Sequence, residues 1–209
     1  MRPPLSAYMF NEKARGRMRA VFKHIRTTIG LAAVILSAGV FSANATEAGW
    51  ALLRSGGHTV LIRHAMTMGG ANDALVDPND CSTQNRLTEQ GKLQARRMGA
   101  LFATRAAPIE RIVSSEYCAA VETARSAFPY EELEINTAFD SLDESAPDER
   151  QIATMKQTLA ASPRSGNAIF ITHLSNIRSL TGQSAREGEA VIVEGDGESM
   201  RVLGKIIFR

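Results

Sequence analysis

The chain has 209 residues, of which 44% are hydrophobic and 22% charged, with a formal net charge of +2. That balance is the composition of a soluble globular protein, and with no internal repeat or low-complexity tract it points to one domain. The charge is unevenly spread: residues 1–45 hold seven Lys or Arg and a single acid, leaving 17 basic and 21 acidic residues and a net −4 beyond them. A mildly acidic body excludes the basic stripe that a nucleic-acid-binding surface needs.

The first 45 residues read as an address. Residues 29–41, IGLAAVILSAGVF, form an uncharged apolar run with basic residues before it and Ser42-Ala43-Asn44-Ala45 after it. This is the layout of a secretory signal peptide with cleavage after Ala45. Met18 is an alternative start that would give a signal of more ordinary length. The apolar run is shorter than the roughly 20 residues of a membrane span, so no stable span is expected after cleavage. Residues 46–209 are then the working domain, periplasmic or secreted. Export bears on the two cysteines, Cys81 and Cys118. An even count in an oxidising compartment favours a disulfide, with two buried free thiols as the alternative. Two separated cysteines fall short of four ligands, so a structural metal site is not expected.

In chain order, residues 46–56 suggest a short helix ended by Gly56-Gly57. His58–Ile62 is an apolar, β-branched run of the kind a buried strand shows, and it delivers Arg63-His64. A long polar loop covers 65–85. Thr88 opens a helix with a stripe of Leu93, Ala95, Met98, Leu101 and Phe102, running to about Arg105. Arg111–Ser114 reads as a second strand, followed by a helix over Glu116–Phe128 that Pro129 ends. Leu133–Ile135 is a third strand candidate. An acidic stretch from Asp140 to Glu149 leads into a helix through Met155 and Leu159. Ala168–Thr172 is a fourth buried strand and delivers His173. Ala190–Val193 and Arg201–Phe208 are two more strands, with a turn at Gly195-Asp196-Gly197. The alternation predicts an α/β fold, a three-layer sandwich with a mostly parallel central sheet. In such sheets ligands bind beyond the carboxyl ends of the strands.

Those ends carry chemistry. Residues 46–209 contain three histidines, and two of them, His64 and His173, directly follow apolar strands. Arg63 presents a planar, permanently charged fork that fits phosphate oxygens. A neutral imidazole can attack phosphorus, and a second, protonated imidazole can stabilise the transferring group. A carboxylic acid is still needed to protonate the leaving oxygen and then activate water. Asp140-Ser141-Leu142-Asp143-Glu144 offers candidates. Ser114-Ser115 lacks the G-x-S-x-G elbow of a serine hydrolase. There is no phosphate-loop or dinucleotide fingerprint, and no cofactor is expected.

The stretch LIRHAMT (61–67) resembles the Arg-His-Gly signature of the histidine phosphatase superfamily, with Ala65 in the Gly place. RLTEQGKLQARRMG (86–99), RIVSSEYCAAVETARSAF (111–128) and NAIFITHLSNIRSLTG (167–182) resemble its following helix, its next strand and helix, and the segment bearing its second His. The resemblance covers residues 46–209 in order. It implies a phosphoglycerate mutase-like fold and a metal-independent phosphomonoesterase acting on a small phosphorylated substrate. It implies His64 as the phosphorylated nucleophile, with Arg63 and His173 around the phosphoryl group and Thr67 as a further donor. Glu144, in Leu142-Asp143-Glu144, resembles the family's Leu-x-Glu proton donor, with Asp143 and Asp140 as alternatives. One departure stands out: the family's second phosphate-binding Arg is replaced by Ala119. Arg125, six residues along a helix and about 9 Å away, should not reach that spot. The alternative implied is a weak or inactive phosphate-binding relative. Nothing in the sequence indicates an oligomeric state.

Overall fold

A computed structural model of the protein describes residues 46–69, 76–77, 80–161 and 163–208. The signal-peptide expectation and the middle of the 65–85 loop lie outside the described residues. Residues 46–55 form helix α1, which leads to strand β1 (Thr59–Arg63). Helix α2 (Glu89–Thr104) follows the polar loop, then β2 (Ile109–Ser114), α3 (Cys118–Ala127) and β3 (Leu133–Ile135). Next come α4 (Glu149–Ala160), β4 (Asn167–Thr172), α5 (Leu174–Thr181), β5 (Glu189–Gly195) and β6 (Met200–Ile207).

The six strands form one sheet in the order β3-β2-β4-β1-β5-β6. The first four in that order are mutually parallel, and β5 and β6 add antiparallel at one edge. The expected fold, an α/β three-layer sandwich about a mostly parallel sheet, is the one observed. Successive side chains of a strand point to opposite faces, so a strand covered on both faces must be apolar throughout. The central strands follow this rule. Val60 and Ile62 of β1, Ile169 and Ile171 of β4, and Ala190 and Ile192 of β5 pack with Trp50, Met98, Phe102 and Ala120, which lie on α1, α2 and α3. The alternate residues Leu61, Ala168, Phe170, Val191 and Val193 pack on the other face with Ile152, Met155 and Leu159 of α4 and with Ile177 and Leu180 of α5.

The ends of the elements fall close to the sequence expectations. Thr88 caps α2 by accepting the Gly91 N–H, and Asp148 caps α4 by accepting from Arg150 N and Gln151 N. The hydrophobic pattern does not announce α5, because its eight residues include two serines, an asparagine and a threonine. It ends on Gly182, whose φ of 66° is the left-handed cap that glycine adopts freely. Cys81 and Cys118 are joined in a disulfide with Cα atoms 5.7 Å apart, tying the polar loop to the first turn of α3.

Candidate active site

Parallel pairing in near register brings the carboxyl ends of β1, β4 and β2 side by side: Arg63 lies opposite Thr172, and Ser114 opposite Ile171. The residues just past these ends, His64, His173 and Ser115, therefore share one edge of the sheet. The two histidines open onto a cavity of about 770 Å³ whose lining also includes Arg63, Tyr117, Ala119 and Glu144, with Ser115 buried behind them. The N-terminus of α5 adds Leu174 and Ser175 to the wall, and the exposed N–H groups of a helix start favour an anion there.

The two imidazoles lie with ring centroids 5.3 Å apart. His64 Nδ1 is 2.9 Å from the carbonyl oxygen of Ala65. A carbonyl only accepts, so Nδ1 carries the proton and Nε2 keeps its lone pair. Burial pushes the His64 pKa down from its ordinary value, the Ala65 carbonyl opposes that shift, and the Arg63 charge adds to it. The neutral, nucleophilic form thus extends to lower pH than for a free imidazole. Ala65 is fully buried and its N–H donates to Thr123 Oγ1 at 2.9 Å, which fits a small residue in that place.

His173 is 8% exposed and its Nε2 lies 3.0 Å from Ser115 Oγ. The Ser115 hydroxyl donates to Asp140 Oδ1 at 2.6 Å and accepts the Tyr117 N–H at 3.1 Å. With its one proton committed to Asp140, Ser115 accepts from His173 Nε2–H, which fixes that tautomer. The Tyr117 ring meets the His173 ring edge-on, with centroids 5.2 Å apart. Burial, then the neighbouring His64 and Arg63 charges, bring the His173 pKa down to about 3. Burial beside Arg63 thus favours the neutral form of this second imidazole, and the protonated form expected from sequence needs a phosphoryl anion against it.

Arg63 Nη1 donates to the Ala185 carbonyl at 3.1 Å, and Nη2 lies 3.9 Å from Glu187 Oε1. Its Nε is buried with no partner. Burial is also the main cause that lowers its pKa. Thr67 stands apart from this group. Its N–H and hydroxyl both reach Glu187 Oε1, at 3.3 and 2.9 Å, and it is absent from the described cavity lining.

The three acids have separate placements. Glu144 lines the cavity, is 57% exposed and pairs with Arg178 at 2.9 Å. Asp143 also lines the cavity but accepts from the Ser145 N–H and hydroxyl. Asp140 is set back behind Ser115, where it also accepts the Glu116 N–H at 2.9 Å. Burial raises its pKa to about 6, against the pull of those hydrogen bonds. Ala119 is 4% exposed and forms part of the wall, while Arg125 lines a different, smaller cavity with Phe128 and Leu133. Among the described residues no group of three His, Cys, Asp or Glu side chains is placed to hold a metal ion.

The support given by Ser115, and the contributions of Glu187 and Tyr117, are not evident from sequence. Ser115 has one visible mark: like the two histidines, it directly follows a strand.

No curated protein matches the chain. Among solved structures, the protein histidine phosphatase SixA complexed with tungstate is similar over 71% of this chain and 96% of its own, at 15% identity and a TM-score of 0.52. Phosphoserine phosphatase from Entamoeba histolytica, in complex with 3-phosphoglyceric acid, is similar over 72% of this chain and 96% of its own, at 12% identity and a TM-score of 0.54. The mycobacterial glucosyl-3-phosphoglycerate phosphatase complexed with VO3 is similar over 71% and 98%, at 14% identity and a TM-score of 0.50. These likenesses establish the fold. In sequence, residues 59–146, from β1 through the Leu142-Asp143-Glu144 segment, match the histidine phosphatase superfamily (branch 1).

Proposed function

We propose that the chain is a phosphatase of the histidine phosphatase type, a phosphomonoesterase that works through a phosphohistidine on His64. The observation that carries this reading is the fixed tautomer of His64. Its Nδ1–H is held by a backbone carbonyl at 2.9 Å, and its Nε2 lone pair is left for chemistry beside Arg63 and His173. The branch 1 family match supports it, as does the tetrahedral oxyanion held by one fold relative.

In the first step His64 Nε2 attacks phosphorus, and the P–N bond forms as the ester P–O bond breaks. The leaving oxygen takes a proton from the Glu144 carboxyl, which lines the cavity. In the second step water attacks phosphorus, Glu144 takes its proton, and the P–N bond breaks to release inorganic phosphate. Arg63 binds the phosphoryl oxygens. The negative phosphoryl group offsets the desolvation of His173, which then takes up a proton and stabilises the equatorial charge. No step draws on a cofactor. The substrate is a small phosphorylated molecule. Location outside the cytoplasm is part of the proposal, and the Cys81–Cys118 disulfide supports it.

The experiment is turnover of an aryl phosphate by the purified protein and by His64→Ala. The proposal expects metal-free turnover in the wild type and its loss in the variant. Absence of wild-type turnover from acid to neutral pH would contradict it. A second reading, a phosphate-binding relative with little catalysis, is favoured by Ala119 in the cavity wall. It predicts a near-zero wild-type rate that rises strongly in Ala119→Arg.

A further inference from the structure

Among the described residues, the cavity lining holds a single Lys or Arg, Arg63. A transferring phosphoryl group carries charge on three equatorial oxygens, and a planar guanidinium engages two at most. Arg125 is excluded because it lines another cavity. Arg178 is differently placed. It lies on α5, four residues after Leu174 and three after Ser175, both of which line the cavity. Residues at that spacing share a helix face, and helical side chains lean toward the N-terminus. The Arg178 side chain thus reaches back over the turn that borders the site. One contact bears this out: its Nη1 is 2.9 Å from Oε1 of Glu144, a residue of the cavity wall.

We propose that Arg178 is the second phosphate-binding cation of this site, taking over from the arginine absent at Ala119, with Glu144 holding it at the rim until phosphate arrives. This inference rests on the phosphatase reading for its substrate class. Both partners are about half exposed, 48% and 57%, so the pair is cheap to break, as exposed ion pairs are. A phosphoryl group between Arg63 and Arg178 offers the guanidinium a stronger, bidentate partner. Transfer of Arg178 from Glu144 to phosphate does two things at once. It supplies the missing charge, and it releases the Glu144 carboxylate from its counter-ion, so that Glu144 can take up a proton from solvent and pass it to the leaving oxygen.

The test uses the full folded domain and inorganic phosphate as probe, titrated calorimetrically and as a competitive inhibitor of aryl phosphate turnover. Arg178→Ala and Arg178→Met are both expected to weaken phosphate binding on the order of 10- to 100-fold, the loss of a charge-assisted hydrogen bond. Melting curves near that of the wild type are expected, because the side chain is exposed. Glu144→Gln removes the competing charge and is expected to keep or tighten phosphate binding while turnover falls. Phosphate affinity within twofold of the wild type in either Arg178 variant would overturn the inference. So would an equal loss in Glu144→Gln, the sign of a pair that acts only as a structural unit, or no phosphate binding by the wild type. Phosphate binding that depends on Arg178 without aryl phosphate turnover would instead retire the phosphatase reading alone.

Discussion

At the level of single residues, His64 and His173 are both imidazoles at strand ends but are held in different ways. A backbone carbonyl leaves the His64 Nε2 free, whereas the Ser115 hydroxyl occupies the Nε2 of His173. Ser115 is a positioning residue: it transmits the anchoring of Asp140 to the ring. Removing it leaves His173 Nε2–H buried without a partner and takes one hydrogen bond from Asp140, at a cost of about 1–3 kcal/mol. Ser115→Ala is therefore expected to lower kcat about tenfold or more, to leave KM nearly unchanged, and to shift the acid side of the pH–rate profile. Ser115→Thr, which keeps the hydroxyl, should recover part of the loss. A KM effect with an unmoved profile would contradict the positioning role. Arg63, His64 and His173 are legible in the sequence because strand periodicity alone delivers them to one edge. The Ser115–Asp140 and Arg178–Glu144 contacts span 25 and 34 residues. No local pattern encodes such pairings; they follow from how the strands are ordered.

At the level of elements, the buried strands were the plainest part of the sequence, since each is apolar on both faces. The short helix α5 was the least plain, because Leu174 and Ser175 line the cavity and buried Asn176 bonds the Phe139 and Asp140 carbonyls, which leaves a short apolar stripe. Helices α2 and α3 show how closely the layers approach. A Cβ added at Gly99 would collide with the Ala127 carbonyl, within 2.7 Å of its carbon. Alanine gains about 1 kcal/mol over glycine in a helix interior. Overpacking against backbone costs about 1–3 kcal/mol and occasionally more. The clash should win, so Gly99→Ala is expected to lower the midpoint of chemical denaturation. A midpoint equal to or above that of the wild type would show that α2 and α3 can separate at no cost.

For the whole molecule, the buried site makes stability depend on pH. His173 titrates near 3 in the folded chain and near its ordinary value when unfolded. Between those limits the unfolded state binds the extra proton, so this group's contribution is lost as pH falls from about 6.5 toward 3. Asp140 acts oppositely. Raised to about 6, it favours the folded state at low pH, and that contribution is lost as pH rises from about 4 through 6. The His173 window is the wider, and His64 shifts in the same direction, so acidification from pH 7 to 4 should lower Tm. His173→Asn should flatten that slope. An unchanged slope in the variant would place the acid sensitivity elsewhere.

The central claim is that His64 becomes phosphorylated during turnover. The most direct measurement is to mix the enzyme with an aryl phosphate, quench it in alkaline denaturant where a P–N bond survives, and locate the phosphate by peptide mass spectrometry. The account predicts a phosphoryl group on His64 that is lost in acid and missing from His64→Ala. Turnover with His64 unmodified, or a phosphoryl group on any other residue, would contradict it.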